Sequence, residues 1–254
     1  RGLGNLNVKY DDKAIDILAE LSNGDARVAL DTLGFVFENR QDGKPVTAED
    51  ISEAMQRKIG FYDRGDDKYD LLSALQKSIR GSDPDAAIYY FARLVDGGAD
   101  VQMIGRRLLV IASEDIGMAY PSAISITHAC VSAALMVGFP EAAINLAEAV
   151  IMLASSPKSN RSVMAYYKAM SDIKHKETDM VPDHLRDSHY KGARDKGLGK
   201  DYKYPHDFGG YVKQQYLPDN LHAEGVRYYE PSENGSEANF KRFLEELRKK
   251  YGDN

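Results

Sequence analysis

Cysteine, tryptophan and long apolar runs are what this sequence of 254 residues most clearly lacks. Its one cysteine, Cys130, cannot form an internal disulfide. Ala129 and Val131 flank it, so we predict a small buried residue in a cytoplasmic protein rather than a nucleophile. No apolar run approaches the roughly 20 residues that a membrane-spanning helix needs. These absences exclude a disulfide-stabilised secreted domain and predict a protein without membrane-spanning helices.

A loop that cradles nucleotide phosphates is also missing. Gly199-Lys200 has no glycine five places before it, and Asp201 stands where a Walker A motif requires serine or threonine. The backbone donors and the lysine of such a loop make most of the contacts to phosphate. We therefore predict that this chain alone neither binds ATP tightly nor hydrolyses it, and that it holds no cofactor.

Paired cysteines and a His-Glu-x-x-His motif are absent as well, which removes the commonest spacing signals of a metal site. Four histidines lie close in sequence to aspartates: His184, His189, His206 and His222. No two of them are four residues apart on a shared helical face. We therefore predict capping and surface hydrogen bonds for them, and no metal. A free-standing enzyme that uses this His- and Asp-rich tail is the weakest alternative.

The net charge of −6 excludes a polybasic protein that wraps nucleic acid. The charge is uneven, however, because residues 157–176 carry five cations and only one anion, Asp172. Three cations of this stretch, Lys158, Arg161 and Lys168, are candidates for contacting nucleic acid or a partner protein. A solvated basic surface is the alternative that the pattern leaves open.

Residues 1–60 are predicted to form a compact unit of three helices. An aspartate, Asp11 or Asp12, begins the first, Asn23-Gly24 ends it, and a Thr47–Asp50 capping box precedes the third. The predicted apolar faces are Ile15, Leu18, Ala19 and Leu21; Val28, Leu30, Leu33 and Val36; and Ile51, Ala54 and Met55.

Residues 61–176 are predicted to form a second helical block, in which short turns join five antiparallel helices between about residues 68 and 154. Asp83-Pro84 and Asp100 are predicted to cap two of them. The helix at 140–154 is apolar nearly all round, apart from a stripe formed by Glu141, Asn145 and Glu148. Such a helix must be buried on most sides, either in its own core or partly against another subunit.

Residues 177–254 have few aliphatic side chains but contain eight of the sixteen tyrosines. This composition predicts a loop-rich segment that tyrosine rings hold on a scaffold. Before it, Ser159 or Asn160 is predicted to cap a helix. A final amphipathic helix is predicted at 237–250. The predicted apolar positions of these two helices are Val163, Tyr166, Tyr167 and Met170, and Phe240, Phe243, Leu244 and Leu247.

Arg27 is the one cation that stands out on physical grounds. It follows Gly24-Asp25-Ala26 in the first turn of the second predicted helix, where the macrodipole disfavours positive charge. A helix start combined with a guanidinium suits an anion, because backbone N–H groups and a bidentate fork converge there. On these residues alone, an ion pair between Arg27 and Asp25 or Asp31 is the alternative.

Gly24-Asp25-Ala26-Arg27 matches the sensor-2 motif of the AAA+ superfamily, and the first 60 residues resemble the lid subdomain of such an ATPase. The rest of the chain resembles the replication-associated recombination protein A family, whose eukaryotic member interacts with the Werner helicase. The stretches that carry this resemblance are Ala154-Ser155-Ser156-Pro157-Lys158-Ser159-Asn160, Val181-Pro182-Asp183-His184-Leu185-Arg186, Tyr202-Lys203-Tyr204-Pro205-His206-Asp207, Leu217-Pro218 and Arg227-Tyr228-Tyr229-Glu230-Pro231.

The resemblance implies an all-α fold with three parts: a AAA+ lid at 1–60, a clamp-loader-like helical oligomerisation domain at 61–176 and a tyrosine-rich, loop-rich segment at 177–254. It implies that Gly24, Asp25 and Arg27 contact ATP with Mg²⁺ in the full-length protein, with Arg27 as the catalytic residue that reaches the γ-phosphate. It also implies a homotetrameric, cytoplasmic and nucleoid-associated protein. Such a protein acts on DNA at stalled forks, gaps and single-strand/duplex junctions, together with the single-strand-binding protein.

The chain opens on Arg1-Gly2-Leu3-Gly4-Asn5, without an initiator methionine or the apolar stretch of a signal peptide. We therefore expect it to be part of a longer protein, with the Walker motifs, sensor 1 and the arginine finger upstream. On that interpretation the fragment supplies the lid, the assembly surface and the surfaces for DNA and partners. The main alternative is a stand-alone helical protein-interaction module without a nucleotide role.

Overall fold

The computed structural model describes residues 9–22, 26–39, 44–62, 68–189 and 197–251. Within these residues the fold is all-α, as predicted, and contains no β-strand. Their α-helices are α1 (Asp12–Leu21), α2 (Ala26–Asn39), α3 (Ala48–Tyr62), α4 (Lys68–Arg80), α5 (Pro84–Asp96), α6 (Val101–Ile111), α7 (Ala123–Val137), α8 (Ala142–Ser155), α9 (Arg161–His175), α10 (Asp219–Ala223) and α11 (Glu237–Tyr251). No helix in these ranges is both long and apolar enough to cross a membrane.

The chain divides into two compact units. The first unit consists of Arg1–Ile116 and Ser122–Ser156, and the second unit consists of Gly117–Pro121 and Pro157–Asn254. The first unit therefore contains α1 to α8, and the second contains α9 to α11 with the loops between them. The domain boundaries predicted near residues 60 and 176 stay predictions.

Side-chain caps explain where α1 and α3 begin. Asp11 accepts a hydrogen bond from the backbone N–H of Lys13 at 3.1 Å. Before α3, the Thr47 N–H donates to Asp50 Oδ2 at 2.8 Å, and the Asp50 N–H donates to Thr47 Oγ1 at 3.2 Å. This reciprocal pair confirms the predicted capping box, which satisfies N–H groups that a helix start leaves without partners.

The core around α1, α2 and α3 follows the predicted faces only in part. The buried members are Ala14, Leu18, Val36, Val46, Ile51, Ala54 and Met55, which confirms the face of α3. On α1, Ile15, Ala19 and Leu21 are exposed, so the predicted face was wrong there except at Leu18. Ala14 and Leu18 lie one helical turn apart, and the real apolar stripe is rotated from the predicted one by about one residue.

The caps of α5 and α6 are those that the sequence predicts. Asp83 accepts from the Ala86 N–H at 2.9 Å, with Pro84 as the first helical residue. Asp100 accepts from the Met103 N–H at 2.6 Å. The most deeply buried side chains of α4, α5 and α6 include Leu75, Ile79, Leu94, Ile104 and Leu108.

Helices α7 and α8 pack against each other, α7 also against α6, and α8 also against α5. A Cβ atom at Gly105 of α6 would lie 2.6 Å from Val131 Cγ1 of α7, so glycine permits the close approach of these helices. Cys130 is buried in α7, as predicted, and burial raises the pKa of its thiol. The five predicted helices between residues 68 and 154 are therefore confirmed as α4 to α8.

The second unit is loop-rich outside its helices, as predicted, with short 3₁₀ turns at Asp183–Leu185 and Pro205–Phe208. Helix α9 has no fully buried side chain. The prediction that tyrosine rings hold this segment in place is correct for Tyr228 and Tyr229, which are partly buried and hydrogen-bonded. It is wrong for Tyr202, Tyr204 and Tyr216, whose side chains are about half exposed.

Candidate functional site

Arg27 is the second residue of α2, because that helix begins at Ala26. Its backbone thus stands in the first helical turn, where a helix start favours an anion. Gly24, Asp25 and the Arg27 side chain lie outside the described residues. The nucleotide-binding role of these three residues therefore stays a prediction.

A charged network fixes the short π-helix, Ala112–Ile116, that follows α6. Its buried Asp115 accepts from Arg80 Nε at 2.5 Å, while Arg80 Nη2 donates to Glu114 Oε1 at 3.2 Å. Gln76 Nε2 donates to both carboxylates, at 3.1 and 3.2 Å. The network therefore ties the π-helix to α4. Sequence reasoning missed it because Arg80 and Asp115 are 35 residues apart.

Glu237, the first residue of α11, is fully buried and joins three parts of the second unit. Tyr229 Oη donates to Oε1 at 2.8 Å, Ser232 Oγ donates to Oε2 at 2.5 Å, and the Ser159 hydroxyl also bonds this carboxylate. Burial alone would raise the pKa of Glu237, but these hydroxyl donors outweigh it and hold the pKa below its ordinary value. The burial and the bond to Glu237 raise the pKa of Tyr229.

Ser159 also marks the start of α9, because its Oγ accepts from the Arg161 N–H at 3.2 Å. The predicted cap at Asn160 is wrong, since the Asn160 side chain makes no capping hydrogen bond. A hydroxyl can donate and accept together, which lets Ser159 serve both Glu237 and the helix start. The sequence correctly predicted that a helix begins after this loop and left open whether Ser159 or Asn160 caps it. The structure shows that Ser159 supplies the oxygen.

The three predicted cations at α9 have different environments. Lys168 Nζ donates to the Arg227 carbonyl at 2.6 Å and lies 3.4 Å from Glu230 Oε1, so its charge is already used within the second unit. Arg161 is exposed at the first position of α9. Lys158 is half-buried. Arg161 and Lys168 are both exposed and lie two helical turns apart on α9. A contact of these three residues with nucleic acid or a partner stays a prediction.

A group of exposed rings lies on the loops that precede α10. We call it the aromatic platform, and its members are Tyr202, Tyr204, His206, Phe208 and Tyr216. The ring centroids of Tyr204 and His206 are 5.0 Å apart. Gln214 Nε2 donates to the Tyr216 hydroxyl at 2.7 Å. The sequence analysis missed this exposed group, because composition cannot distinguish a buried tyrosine from an exposed one.

Two of the four histidines near aspartates, His184 and His189, make side-chain hydrogen bonds. His184 Nε2 donates to the Gln215 carbonyl at 2.8 Å, and His189 Nδ1 donates to Asp187 at 2.7 Å. Hydrogen bonds from the His189 backbone and ring lower the pKa of Asp187. Within the ranges that the structure describes, no three His, Cys, Asp or Glu side chains come together in a group that could hold a metal ion.

A second exposed apolar group lies on two packed helices of the first unit. We call the exposed aliphatic side chains of α7 and α8 the α7–α8 surface: Ile124, Leu135, Met136, Val137, Ile144 and Ile151. They are interleaved with exposed polar residues, such as Glu148 one turn from Ile144. The opposite side of α8 is core, formed by residues that include Leu146, Val150 and Leu153. The core of this chain therefore buries one face of α8. The other face, where Ile144 is 72% exposed, is not covered in the single chain.

Comparisons with known proteins account for almost the whole chain. The family model described as "AAA C-terminal domain" matches residues 4–80. The model described as "MgsA AAA+ ATPase C terminal" matches residues 81–248. The two matches follow each other without a gap, and the first includes Gly24, Asp25 and Arg27.

Curated relatives agree with these matches. The chain is 46% identical to the replication-associated recombination protein A of Bacillus subtilis, over 98% of this chain and 60% of the relative. It is 38% identical to the protein of the same name from Escherichia coli K12, over 93% of this chain and 54% of the relative. The ATPase WRNIP1 of Dictyostelium discoideum is 35% identical over 84% of this chain and 27% of the relative. The chain thus spans less than two thirds of the length of these relatives.

Proposed function

Because the chain belongs to the replication-associated recombination protein A family of AAA+ ATPases, we propose that the complete protein acts in DNA replication, recombination and repair at stalled forks or gaps. The chain corresponds to the carboxy-terminal part of its relatives. The observation that supports the proposal best is the pair of consecutive family models over residues 4–248. The alternative of a stand-alone helical module gains no support, because the relatives carry this region within longer ATPase chains.

The first part of this function is a contribution to ATP hydrolysis. ATP with Mg²⁺ is the nucleotide of the complete protein in this proposal, and this chain contributes the start of α2 with Arg27. A guanidinium at a helix start suits phosphate oxygens in charge and geometry, so the residues present fit an anionic ligand. Arg27 would stabilise the charge that develops on the γ-phosphate and link hydrolysis to movement of the lid.

The second part is assembly. The α7–α8 surface exposes six aliphatic side chains, including Met136 at 87% and Ile144 at 72% exposure. Exposed aliphatic side chains on packed helices are what an interface between subunits would bury. A symmetric homotetramer would bury the same side chains in every copy. The partners of the assembled protein in this proposal are DNA and the single-strand-binding protein, in the cytoplasm at the nucleoid.

The decisive experiment replaces Arg27 in the complete protein. Arg27→Ala should lower the rate of ATP hydrolysis by about 100-fold, the effect of removing one preorganised donor to developing charge. Arg106→Ala is a matched control, because this exposed arginine of α6 donates a hydrogen bond to Gln102 on its own helix. Light scattering should give both variants the mass of the parent assembly. An unchanged hydrolysis rate in Arg27→Ala would restrict Arg27 to an ion-pair role.

Assembly is tested on the chain itself by light scattering coupled to size exclusion. We expect a mass several times that of one chain, 28.3 kDa. A monomer that persists at tens of micromolar, where ordinary homo-oligomers are assembled by mass action, would contradict this part of the proposal.

A further inference from the structure

We propose that the aromatic platform binds single-stranded DNA by stacking its rings on the bases, with Lys200 and Lys203 contacting the phosphates. This inference rests on the proposed function and gives it a site. It moves the nucleic-acid contact away from Lys158, Arg161 and Lys168.

The chemistry of the exposed side chains supports bases as the ligand. Between residues 197 and 217, every large hydrophobic side chain that is well exposed is aromatic: Tyr202, Tyr204, Phe208 and Tyr216. Among the aliphatic side chains of this stretch, Leu198 is buried, and Val212 and Leu217 are half-buried. Each base has a π-face, so rings of this kind bind single strands without requiring a sequence.

Gln214 fixes the backbone at Lys203 and the hydroxyl of Tyr216 within the platform. Its side-chain oxygen accepts from the Lys203 N–H at 3.1 Å, and its Nε2 donates to the Lys203 carbonyl at 2.8 Å. The same amide bonds the Tyr216 hydroxyl, which brings the loop at 202–208 and the strand-like segment at 213–217 together. The turn is closed by the Asp207 N–H, which donates to the Tyr204 carbonyl at 3.0 Å. Rings that are fixed before binding lose less entropy when a base stacks on them.

Two cations beside the rings are available for phosphate. Lys200 and Lys203 are exposed, and neither ammonium has an ion-pair partner in the described part of the chain. In contrast, Lys168 of α9 is paired with Glu230, and Lys176, which follows α9, is paired with Glu224 at 2.7 Å. A lysine that already pairs with a carboxylate must give up that partner to bind phosphate. A solvated lysine neutralises a phosphate directly, and counterions are released from the nucleic acid.

A pocket adjoins the platform through Gln214. It has a volume of about 340 Å³, and its lining includes the carboxylates Asp183 and Asp201 beside His184, Lys200 and Gln215. Carboxylate, imidazole and amide groups supply donors and acceptors for the edge of a base, and Lys200 supplies a cation for its phosphate. The pocket is open, so a strand can pass a nucleotide across it while neighbouring bases stack on the rings.

Single strands fit this surface better than the other macromolecules do. The bases of a duplex are stacked on each other and cannot offer their faces to Tyr204 or Phe208. Protein interfaces also use aromatic side chains, so the rings alone do not separate a protein ligand from a single strand. The exposed lysines beside the rings favour a ligand that has both π-faces and phosphates.

The test measures the affinity of the 254-residue chain for a fluorescent oligothymidylate of about 20 nucleotides by anisotropy. We expect tighter binding to it than to an abasic strand of equal length or to duplex DNA. Tyr204→Leu and Phe208→Leu should each weaken binding about tenfold, because one stacked base is lost. Tyr204→Phe keeps the ring and should bind like the parent. Tyr89→Leu removes an equally exposed tyrosine of α5 and should have no effect.

Three results would overturn the inference. Equal affinity for the abasic strand would show that phosphates alone are bound. Parent-like binding by both leucine variants would return the contact to the cations of α9 and leave the proposed function intact. No binding of oligothymidylate at low salt would assign the rings to a protein ligand. Failure of the proposed function is seen separately, in the Arg27→Ala hydrolysis rate of the complete protein.

Discussion

Two groups of exposed hydrophobic side chains in the described part of this protein differ in side-chain chemistry. The hydrophobic members of the α7–α8 surface in the first unit are all aliphatic, whereas the aromatic platform of the second unit consists of rings beside exposed lysines. An aliphatic side chain gains only by leaving water, so it suits any complementary apolar surface, including a second copy of itself. A ring with a nearby cation recognises a flat, anionic ligand. The exposed fractions of the side chains do not distinguish these two surfaces, whereas their chemistry does.

The largest expected effect is on assembly, which we assign to the α7–α8 surface and not to the aromatic platform. Ile144→Glu should reduce the assembled protein to a mass of 28.3 kDa, because an unpaired charge cannot be buried in an apolar interface without a large cost. The measurement is light scattering. Helicity by circular dichroism should be unchanged, since Ile144 is mostly exposed in the single chain.

Tyr89→Glu is the matched control for this variant, because it places the same charge at an exposed position of α5. The control should keep the mass of the parent. The Ile144→Glu monomer should still bind oligothymidylate, with an affinity per chain close to that of the parent. If the Ile144→Glu variant has the mass of the parent assembly, the α7–α8 surface is not the interface. The two surfaces would then not differ in the way proposed.

The next largest effect is a loss of stability in the second unit, which contains the aromatic platform. Glu237→Ala leaves Tyr229 and Ser232 without their acceptor inside the second unit. Buried donors without partners cost about 1–3 kcal/mol each, so we expect a loss of about 3 kcal/mol in unfolding free energy. Hydrogen exchange should rise in residues 197–251 but stay unchanged in α7 and α8. Glu233→Ala, at an exposed glutamate, is the control.

The pH dependence of stability gives the same carboxylate a second test. The folded-state pKa of Glu237 lies below its ordinary value of 4.5, so its stabilisation is complete above about pH 4.5 and is lost as the pH falls through the folded value. Glu237→Gln cannot titrate and should show a shallower decline in melting temperature below pH 4.5. A decline as steep as that of the parent would mean that other carboxylates control acid unfolding.

Local features were predictable from the sequence, and long-range ones were not. Asp83, Asp100 and the Thr47–Asp50 box bond N–H groups within three residues, so the sequence contains all the information that places them. The Arg80–Asp115 pair joins residues that only the packing of helices brings together.

Exposure was the hardest property to predict. The tyrosine-rich composition of residues 177–254 correctly predicted loops, but Tyr229 is hydrogen-bonded beside a buried carboxylate while Tyr204 is half exposed. Which side chains a loop turns outward depends on its backbone path. In this protein a glutamine, Gln214, sets part of that path, and nothing in its sequence neighbourhood marks it.

The smallest expected effect decides between the cations predicted from the sequence and those beside the rings. A single-strand contact contributes about 0.7 to the slope of log affinity against log salt. Lys203→Gln should therefore lower that slope by about 0.7, because its ammonium is exposed and has no ion-pair partner among the described residues. Lys168→Gln should leave the slope unchanged, since its ammonium already contacts the Arg227 carbonyl and Glu230. If Lys168→Gln lowers the slope and Lys203→Gln leaves it unchanged, the phosphates contact α9. The proposed contact of phosphates with lysines beside the aromatic platform would then be wrong.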